Sequence, residues 1–333
     1  MGRTYRITYK NGDVYVGEAP KGFAHGHGKM TFVNGDTYEG EFSYDRATGR
    51  GVYVFKDYGD KYVGQLKNTK FHGEGKYYLN GEKLLYSGQW KKDNYHGYGV
   101  LYEEDGTYKG YFKKGKKQGY GEMTYDDGRV FKGHFKAGKR HGRGTMYFPE
   151  GHHLGIERFV GKYKNGNPVK GTDYYRDGRV ITSGFNENEQ YDGKTVVSSK
   201  DGSSVVSYLN DGIWDCSKKT TITLDNGSVF CGYLDKNRNL VSGKAEFKED
   251  GEWYDGEFQN NKYHGYGTYK YSDGRVYKGY WKNGERCGKG TTEFPNGDRF
   301  EGTWYENGTA RGTYYYSDGS SSYTYYDENG IAH

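Results

Sequence analysis

One short phrase recurs from one end of this chain to the other. It consists of an aromatic residue, any residue, a glycine, any residue and often a second aromatic, followed after a short loop by Gly-x-Gly. The first aromatics of successive phrases are Tyr15, Tyr38, Tyr62, Tyr86, Tyr108, Phe131, Phe159, Phe230, Tyr254, Tyr277, Phe300 and Tyr323. Most of their gaps are 22 to 24 residues, and self-similarity at such a period indicates a repeat array.

Within one repeat the residues alternate with the period of two that is typical of β-strands. In Tyr38-Glu-Gly40-Glu-Phe42 the two rings and the glycine share one face, and Glu39 and Glu41 point the other way. After a loop, Gly49, Gly51, Tyr53 and Phe55 are expected on a common face as well. Each repeat is therefore predicted to be a β-hairpin.

Turn signals separate the hairpins. The second strand is followed by dipeptides that accept positive φ: Asn34-Gly35, Asn80-Gly81, Asp105-Gly106, Asp127-Gly128, Asp250-Gly251, Asp273-Gly274 and Asn296-Gly297. The predicted fold is all-β, an elongated, twisted, single-layer antiparallel sheet of stacked β-hairpin repeats. Because glycine has no Cβ, a neighbouring ring can lie across its backbone, so rings over glycines should form the core.

Composition favours a folded chain despite its low hydropathy. The 333 residues include 56 Gly and 39 Tyr, and so many aromatics argue against disorder. The three cysteines, Cys216, Cys231 and Cys287, are an odd number without a Cys-x-x-Cys pair, which argues against a disulfide framework and against zinc. No apolar run suggests a membrane span or a signal peptide. We therefore expect a cytoplasmic protein.

Several segments resemble the membrane occupation and recognition nexus, or MORN, repeat. The resemblance rests on Tyr38-Glu-Gly40-Glu-Phe42, on His72-Gly-Glu-Gly75 and on Tyr254-Asp-Gly-Glu-Phe-Gln-Asn-Asn-Lys-Tyr-His264-Gly-Tyr-Gly267-Thr-Tyr269. It implies a solenoid-like array with a groove along one face. It also implies a scaffold at cytoskeletal, ciliary or membrane-associated structures.

The pattern divides the chain into three parts. Residues 1–148 and 230–333 are regular repeats, the latter ending in a C-terminal cap, and residues 149–229 are degenerate. In the degenerate part, Glu150-Gly-His-His-Leu-Gly-Ile156 lengthens one repeat, and Val180-Ile-Thr-Ser-Gly184-Phe185 lacks the leading aromatic. The stretch from Lys200 to Trp214 is Ser-rich and has no Gly-x-Gly. Ordinary repeat decay, a bend and a partner site all remain open for this part.

No constellation of residues points to catalysis. His25, His72, His96, His141 and His264 occupy one repeat position, just before Gly-x-Gly, where Thr48, Gln118, Cys287 and Arg311 also occur. Such tolerance indicates a structural position. His152 and His153 with nearby Glu157 could bind a metal ion, but adjacent residues in a strand point to opposite faces, so this signal is weak. No phosphate loop or nucleophile elbow is present. We expect no enzyme activity, no cofactor and no metal site.

A basic patch stands out between residues 109 and 143. It consists of Lys113, Lys114, Lys116, Lys117, Arg129, Lys132, Lys136, Lys139, Arg140 and Arg143. Such a patch could attract anionic lipid head groups or an acidic protein surface, or it could be a solvated edge that prevents aggregation. Nucleic acid is disfavoured, because the lysines are expected in loops and the rings on the face that holds the glycines.

The sequence thus predicts a non-catalytic scaffold or adaptor. Its aromatic groove would bind an extended segment or an amphipathic helix of a partner protein, in a cytoskeletal, ciliary or flagellar assembly. The alternative is a peripheral membrane adaptor that binds anionic phospholipids through the basic patch. Homodimers are compatible with the open sheet edges. The predicted groove aromatics are Tyr38, Phe42, Tyr62, Tyr86, Trp90, Tyr108, Phe112, Phe131, Phe135, Tyr254, Phe258, Tyr277, Trp281, Phe300 and Trp304.

Overall fold

The computed structural model describes residues 3–327 and 331–333, and these residues form 29 β-strands and no α-helix. No described segment forms a helix long and apolar enough to cross a membrane. The chain divides into two compact units, Met1–Val169 and Lys170–His333. The boundary falls within the fifteenth strand, and each unit is described by itself.

The first unit is an antiparallel meander in which each strand pairs with the next. Its strands are β1 Thr4–Thr8, β2 Val14–Glu18, β3 Gly26–Thr31, β4 Thr37–Ser43, β5 Arg46–Val54, β6 Lys61–Lys67, β7 Lys70–Leu79, β8 Lys83–Lys91, β9 Asn94–Glu103, β10 Gly106–Lys113, β11 Lys116–Tyr125, β12 Val130–Lys136, β13 Lys139–Tyr147 and β14 Ile156–Lys164.

The second unit continues the same pattern, with one interruption. Its strands are β15 Asn167–Tyr175, β16 Val180–Phe185, β17 Tyr191–Ser198, β18 Ser204–Asn210, β19 Ile213–Trp214, β20 Thr220–Thr223, β21 Val229–Leu234, β22 Leu240–Phe247, β23 Glu252–Gln259, β24 Lys262–Lys270, β25 Val276–Lys282, β26 Glu285–Glu293, β27 Arg299–Trp304, β28 Ala310–Tyr315 and β29 Ser321–Tyr326. Here β19 and β20 pair with the two ends of β18, so one strand is broken at residues 215–219. The predicted all-β sheet of antiparallel hairpins is confirmed within each unit.

Two kinds of turn connect the strands. Inside a hairpin the two turn residues both have positive φ, as at Tyr44 (46°) and Asp45 (65°), the geometry of a type I′ turn that matches strand twist. Between hairpins the predicted glycine supplies the positive φ, as at Gly35 (89°), whose amide donates to the carbonyl of Phe32 at 2.8 Å. The turn prediction from Asn-Gly and Asp-Gly is confirmed at this glycine.

The two faces of the sheet differ in composition. We call the face that carries Tyr38, Gly40 and Phe42 and their equivalents the aromatic face, and the one that carries Glu39 and Glu41 the opposite face. On the aromatic face, Phe42 contacts both the Tyr38 ring of its own repeat and the Tyr15 ring of the preceding one, with ring centroids 5.2 and 4.9 Å apart. The core thus lies at the junctions between repeats, as nearest-neighbour stabilisation requires.

Two details of the sequence prediction are wrong. Gly49 does not share a face with Gly51, because it lies in a β-bulge with φ of 56° and the register between β4 and β5 shifts there. Tyr323 is not a core marker, because it is 74% exposed. Its neighbours Ser322 and Thr324 pair with Tyr314 and Gly312, so they occupy the aromatic-face positions instead.

Candidate functional site

The predicted groove aromatics form the core and are not an open binding surface. All fifteen are between 0% and 8% exposed. Neighbouring rings and the strand backbone cover most of each ring, so little of their surface is left for a partner to contact. Their role in binding a partner stays a prediction, whereas the prediction that rings over glycines build the sheet is confirmed.

The hairpin of β10 and β11 shows why glycine is required beneath the ring. Gly110 pairs with Gly121, and the buried ring of Tyr108 lies over both. A Cβ atom added to Gly121 would stand 2.5 Å from Cε2 and 2.6 Å from Cζ of that ring. Real Cβ contacts are never so short, so any side chain here would push the ring out of the core.

The hydroxyl of the buried tyrosine donates hydrogen bonds to backbone carbonyls beside the β-bulge of its hairpin. Tyr254 Oη donates to the carbonyls of Glu257 at 2.9 Å and His264 at 3.2 Å, and Tyr15 Oη donates to those of Glu18 and His25. The residue before Gly-x-Gly therefore contributes its carbonyl oxygen, which every residue type possesses. This accounts for the variable histidine position as a structural one.

A carboxylate that accepts a hydrogen bond from a tyrosine of the same repeat recurs in several repeats, and it was missed from the sequence. Asp36 accepts hydrogen bonds from Tyr53 Oη at 2.9 Å, from the Lys56 amide at 2.9 Å and from Asn34 Nδ2 at 3.0 Å. Burial alone would raise the pKa of Asp36, but these three donors outweigh it and hold the pKa below the ordinary value. Asp60, Glu252 and Asp298 accept the equivalent tyrosine hydroxyl in their repeats. A recurring acid 16 or 17 residues before a tyrosine was the available signal.

The accessible part of the aromatic face consists of half-buried rings from the second strand of each repeat. In the second unit Tyr263, Tyr269 and Tyr271 are of this kind and pack against the buried core. Burial raises the pKa of Tyr263 to about 12, so its hydroxyl stays neutral at physiological pH. These rings are oriented by the core and still present surface to solvent.

Two adjoining recesses lie among these rings in the second unit. One, of about 510 Å³, is lined mainly by apolar side chains, including Ile222, Leu224, Leu240 and Phe258. The other, of about 590 Å³, is lined by rings together with Arg286 and Glu306. Tyr263 and Gly284 border both recesses, so an apolar recess and a mixed recess adjoin each other.

In the first unit a depression lies on the opposite face. It has a volume of about 900 Å³ and runs over β3 to β8, where the paired glycines leave the backbone bare. Its walls are charged, with Lys29, Arg50 and Lys76 alternating with Glu39 and Glu74. A recess of such mixed charge does not select a cationic or an anionic ligand.

The histidines and acids do not gather into a metal site. No cluster of three or more His, Cys, Asp or Glu side chains suited to a metal ion occurs in the part of the chain that the structure describes. His152 and His153 do not lie in a strand, so the expected opposite orientation is wrong: they occupy a turn and their ring centroids are 4.6 Å apart.

Comparison with known families gives a clear match. The family model of the MORN repeat matches residues 21–37, 38–59, 62–82, 86–107, 108–128, 131–153, 254–274 and 277–299, which together make up more than half of the chain. This protein belongs to the MORN repeat family. The sequence-based recognition is thereby confirmed.

Other comparisons add little to the MORN assignment. None of the curated proteins compared with the chain matches it. Among solved structures, it is similar to the G-box domain of the microcephaly protein CPAP, with 16% identity and a TM-score of 0.25 over 62% of this chain and 97% of that one. It is also similar to a point mutant of the TCP10 domain of Danio rerio CPAP, with 14% identity and a TM-score of 0.19 over 88% of this chain and 95% of that one. A third similar structure is the SAS-4 (dCPAP) TCP domain of Drosophila melanogaster in complex with a proline-rich motif of Ana2 (dSTIL). Its identity is 10% and its TM-score 0.16, over 68% of this chain and 88% of that one. TM-scores this low support no conclusion about function.

The stretch between the two groups of matched MORN repeats, residues 154–253, still forms strands. In β16 and β17 the side chains of Ser183 and Thr195 take the positions of the paired glycines, and their hydroxyl oxygens are 2.7 Å apart in a buried site. Ile181 stands in the place of the tyrosine. The degenerate repeats therefore keep the MORN hairpin with a different filling of the core.

The basic patch, which lies in the fifth and sixth matched MORN repeats and at Arg129 between them, is only partly available to a partner. Lys117 pairs with Glu103 and lies 5.0 Å from the Tyr108 ring centroid, and Arg140 lies 5.2 Å from that of Tyr163. Arg129 and Lys132 pair with Asp127 and Glu122 at 2.7 and 3.2 Å. The exposed members without an ion pair among the described residues are Lys113, Lys114, Lys116, Lys136, Lys139 and Arg143.

Proposed function

We propose that this MORN protein is a non-catalytic scaffold or adaptor that binds apolar segments of partner proteins on the aromatic face of its second unit. The observation that carries the proposal is the pair of adjoining recesses. The apolar recess suits the buried side chains of an amphipathic helix or an extended segment, and the mixed recess suits their polar flank.

Rigid tyrosines support this role. Tyr263 and Tyr269 are held by ring contacts with Trp281 at 5.4 and 5.9 Å, so a partner would meet surfaces that need little further ordering. Aromatic surfaces of this kind lose little conformational entropy on binding. We propose a cytoskeletal or ciliary assembly as the setting, since MORN arrays serve mainly as scaffolds there.

Quantitative affinity capture from the native cell tests the scaffold role. Leu224→Glu and Tyr305→Glu place a charge in the apolar and the mixed recess, at side chains that are 50% and 45% exposed and so tolerate change. We expect both variants to lose the same subset of proteins that the wild-type chain captures. Val33→Glu, at an apolar residue that is 73% exposed in the first unit, is the matched control and should retain them. Equal capture by all four chains would contradict the proposal.

A second candidate function is supported by the unpaired lysines at the hairpin turns. The Gly138 amide donates to the Lys117 carbonyl at 3.0 Å, so the turns that carry Lys114, Lys116 and Lys139 are neighbours. We call these three lysines the basic turn edge. Each basic residue near an anionic membrane contributes about 1 kcal/mol to binding, so the edge would support a peripheral membrane adaptor.

Sedimentation with vesicles of phosphatidylcholine and phosphatidylserine at low salt tests this candidate. Changing Lys114, Lys116 and Lys139 to Glu should abolish sedimentation of the chain. The matched control changes the exposed Lys10, Lys21 and Lys236 to Glu, with the same change in net charge, and should sediment as the wild type does. If wild-type protein stays in the supernatant, the membrane function is wrong and the scaffold proposal is unaffected.

A further inference from the structure

Four exposed rings form a row on the opposite face of β9 to β12. Tyr98, Tyr111 and Tyr120 are 52%, 53% and 55% exposed, and His134 is exposed beside them. Tyr98 pairs across strands with Tyr111 and Tyr120 pairs with His134, with ring centroids 5.6 and 5.8 Å apart. We call these four residues the tyrosine row. Alternation with Gly99 and Gly121, which lie on the aromatic face, places Tyr98 and Tyr120 on this face.

Earlier hairpins of the same unit do not need rings at these positions. The equivalent cross-strand pairs are His27 with Glu41, Arg50 with Gln65, and Glu74 with Gln89. Polar pairs therefore complete the sheet equally well there. Exposed apolar surface that the fold does not require is a common mark of an interaction site.

Excess positive charge lies beside the tyrosine row. Lys109, Arg143 and Lys162 lie on the same face, are exposed, and make no ion pair among the described residues. Lys109 stands across the strands from Glu122, but this acid forms its ion pair with another lysine. Lys132, also on this face, is neutralised by Glu122 at 3.2 Å. Arg143 pairs across strands with Lys162, so two like charges stand side by side with no acid between them. Such an arrangement is unfavourable in the free sheet and becomes favourable when an anionic partner covers it.

We infer that the opposite face of β9 to β14 binds an extended, acidic segment of a partner protein. The inference rests on the proposed scaffold function and adds a second surface with a different specificity. Glutamate or aspartate side chains would pair with Lys109, Arg143 and Lys162, and the tyrosine row would contact the rest of the chain. Six strands spaced by about 4.8 Å span roughly 24 Å, which about seven or eight extended residues cover.

The ring geometry favours a polypeptide over a single-stranded nucleic acid. Both ring pairs are edge-to-face, with interplanar angles of 77° and 82°. In such a pair one ring covers part of its neighbour's face, so the row does not offer the parallel, open ring faces on which successive bases stack. Edges and hydroxyl groups of tyrosine remain available to peptide groups and carboxylates.

Fluorescence anisotropy with the full chain tests this inference. The probe is a fluorescein-labelled peptide of about eight residues in which Glu alternates with Ala, and the control peptide has Gln in place of Glu. At low salt we expect the Glu peptide to bind at least about tenfold more tightly than the Gln peptide, with an affinity that falls as salt is raised. Changing Lys109, Arg143 and Lys162 to Glu should weaken binding about tenfold or more, and changing Tyr111 to Ala several-fold.

The basic turn edge supplies the matched control. Lys114, Lys116 and Lys139 changed to Glu give the same change in net charge on the same repeats, and this variant should bind the Glu peptide within about twofold of the wild type. Equal weakening by the two triple variants would overturn the inference, as would tighter binding of a single-stranded oligothymidine than of the peptide. Leu224→Glu should leave peptide binding unchanged, which separates this surface from the recesses of the second unit.

Discussion

In the regular repeats a tyrosine ring covers two glycines, whereas in the degenerate repeats a smaller aliphatic residue stands beside two hydroxyl-bearing residues. Tyr108 over Gly110 and Gly121 represents the first arrangement, and Ile181 with Ser183 and Thr195 represents the second. In each case the side chains of the three residues together occupy the space next to the strand backbone: either one large ring, or one smaller side chain with two small ones. The degenerate segment is therefore a compensated variant of the hairpin rather than a broken one.

A glycine substitution in a regular repeat should have the largest effect. Gly121→Ser places a side chain where even a Cβ stands 2.5 Å from the Tyr108 ring, and overpacking of this kind costs about 3 kcal/mol of unfolding free energy. The measurement is a urea unfolding curve followed by circular dichroism. Gly138→Ser is the comparison variant: its Cβ would meet nothing, but its φ of 90° strains any side chain, so it measures the backbone cost of losing a glycine without a ring clash.

The two arrangements can be compared at one site by introducing the side chains of the degenerate repeat into a regular repeat. The triple variant Tyr108→Ile, Gly110→Ser, Gly121→Thr should be more stable than the sum of the separate changes predicts, by at least about 1 kcal/mol, because the residues are in contact and their effects couple. Strict additivity would show that the two arrangements are not alternatives for one site.

The hairpin pattern could be predicted because its causes are local. Alternation fixes which side chains share a face, and Asn34-Gly35 specifies a turn. The availability of the rings could not be predicted in this way, because the burial of Phe42 depends on Tyr15 in the preceding repeat. Nor does alternation reveal a bulge: the positive φ of Gly49 turns this residue away from the face of Gly51. Alternation does place Tyr111 and Tyr120 on the opposite face, but their contacts with Tyr98 and His134 depend on the register between strands.

Removing one hydroxyl should have an intermediate effect. Tyr38 Oη donates to the carbonyl of Thr48 at 3.0 Å, and burial raises the pKa of Tyr38 to about 12, so it remains a donor at physiological pH. Tyr38→Phe should lower the unfolding free energy by about 1 kcal/mol. Phe131 occupies the same position without a hydroxyl, so Phe131→Tyr should be neutral or stabilising. An equal loss in both variants would mean that the ring alone determines stability.

Acid should produce the smallest effect, with opposite signs in the two kinds of repeat. Hydrogen bonds hold the pKa of Asp36 below its ordinary value despite burial, so its stabilising contribution is present at neutral pH and is lost as the pH falls through the lowered folded-state pKa. Burial raises the pKa of Asp173 even though Tyr191 Oη donates to it at 2.7 Å. Its ionised form is therefore unfavourable in the fold, and this penalty is relieved as the pH falls through the raised pKa.

These two contributions are measured by thermal unfolding. The melting temperatures of Asp36→Asn, Asp173→Asn and the wild type are compared at a series of pH values from neutral to acid. Because the pKa of Asp173 lies above the ordinary value near 3.9 and that of Asp36 below it, the Asp173 effect should come first on acidification. The wild type should gain stability relative to Asp173→Asn and only later lose its advantage over Asp36→Asn. If the difference in melting temperature between wild type and variant changes with pH in the same way for both variants, the two carboxylates are stabilised in the same way. The contrast between the two kinds of repeat would then be confined to the ring and its glycines.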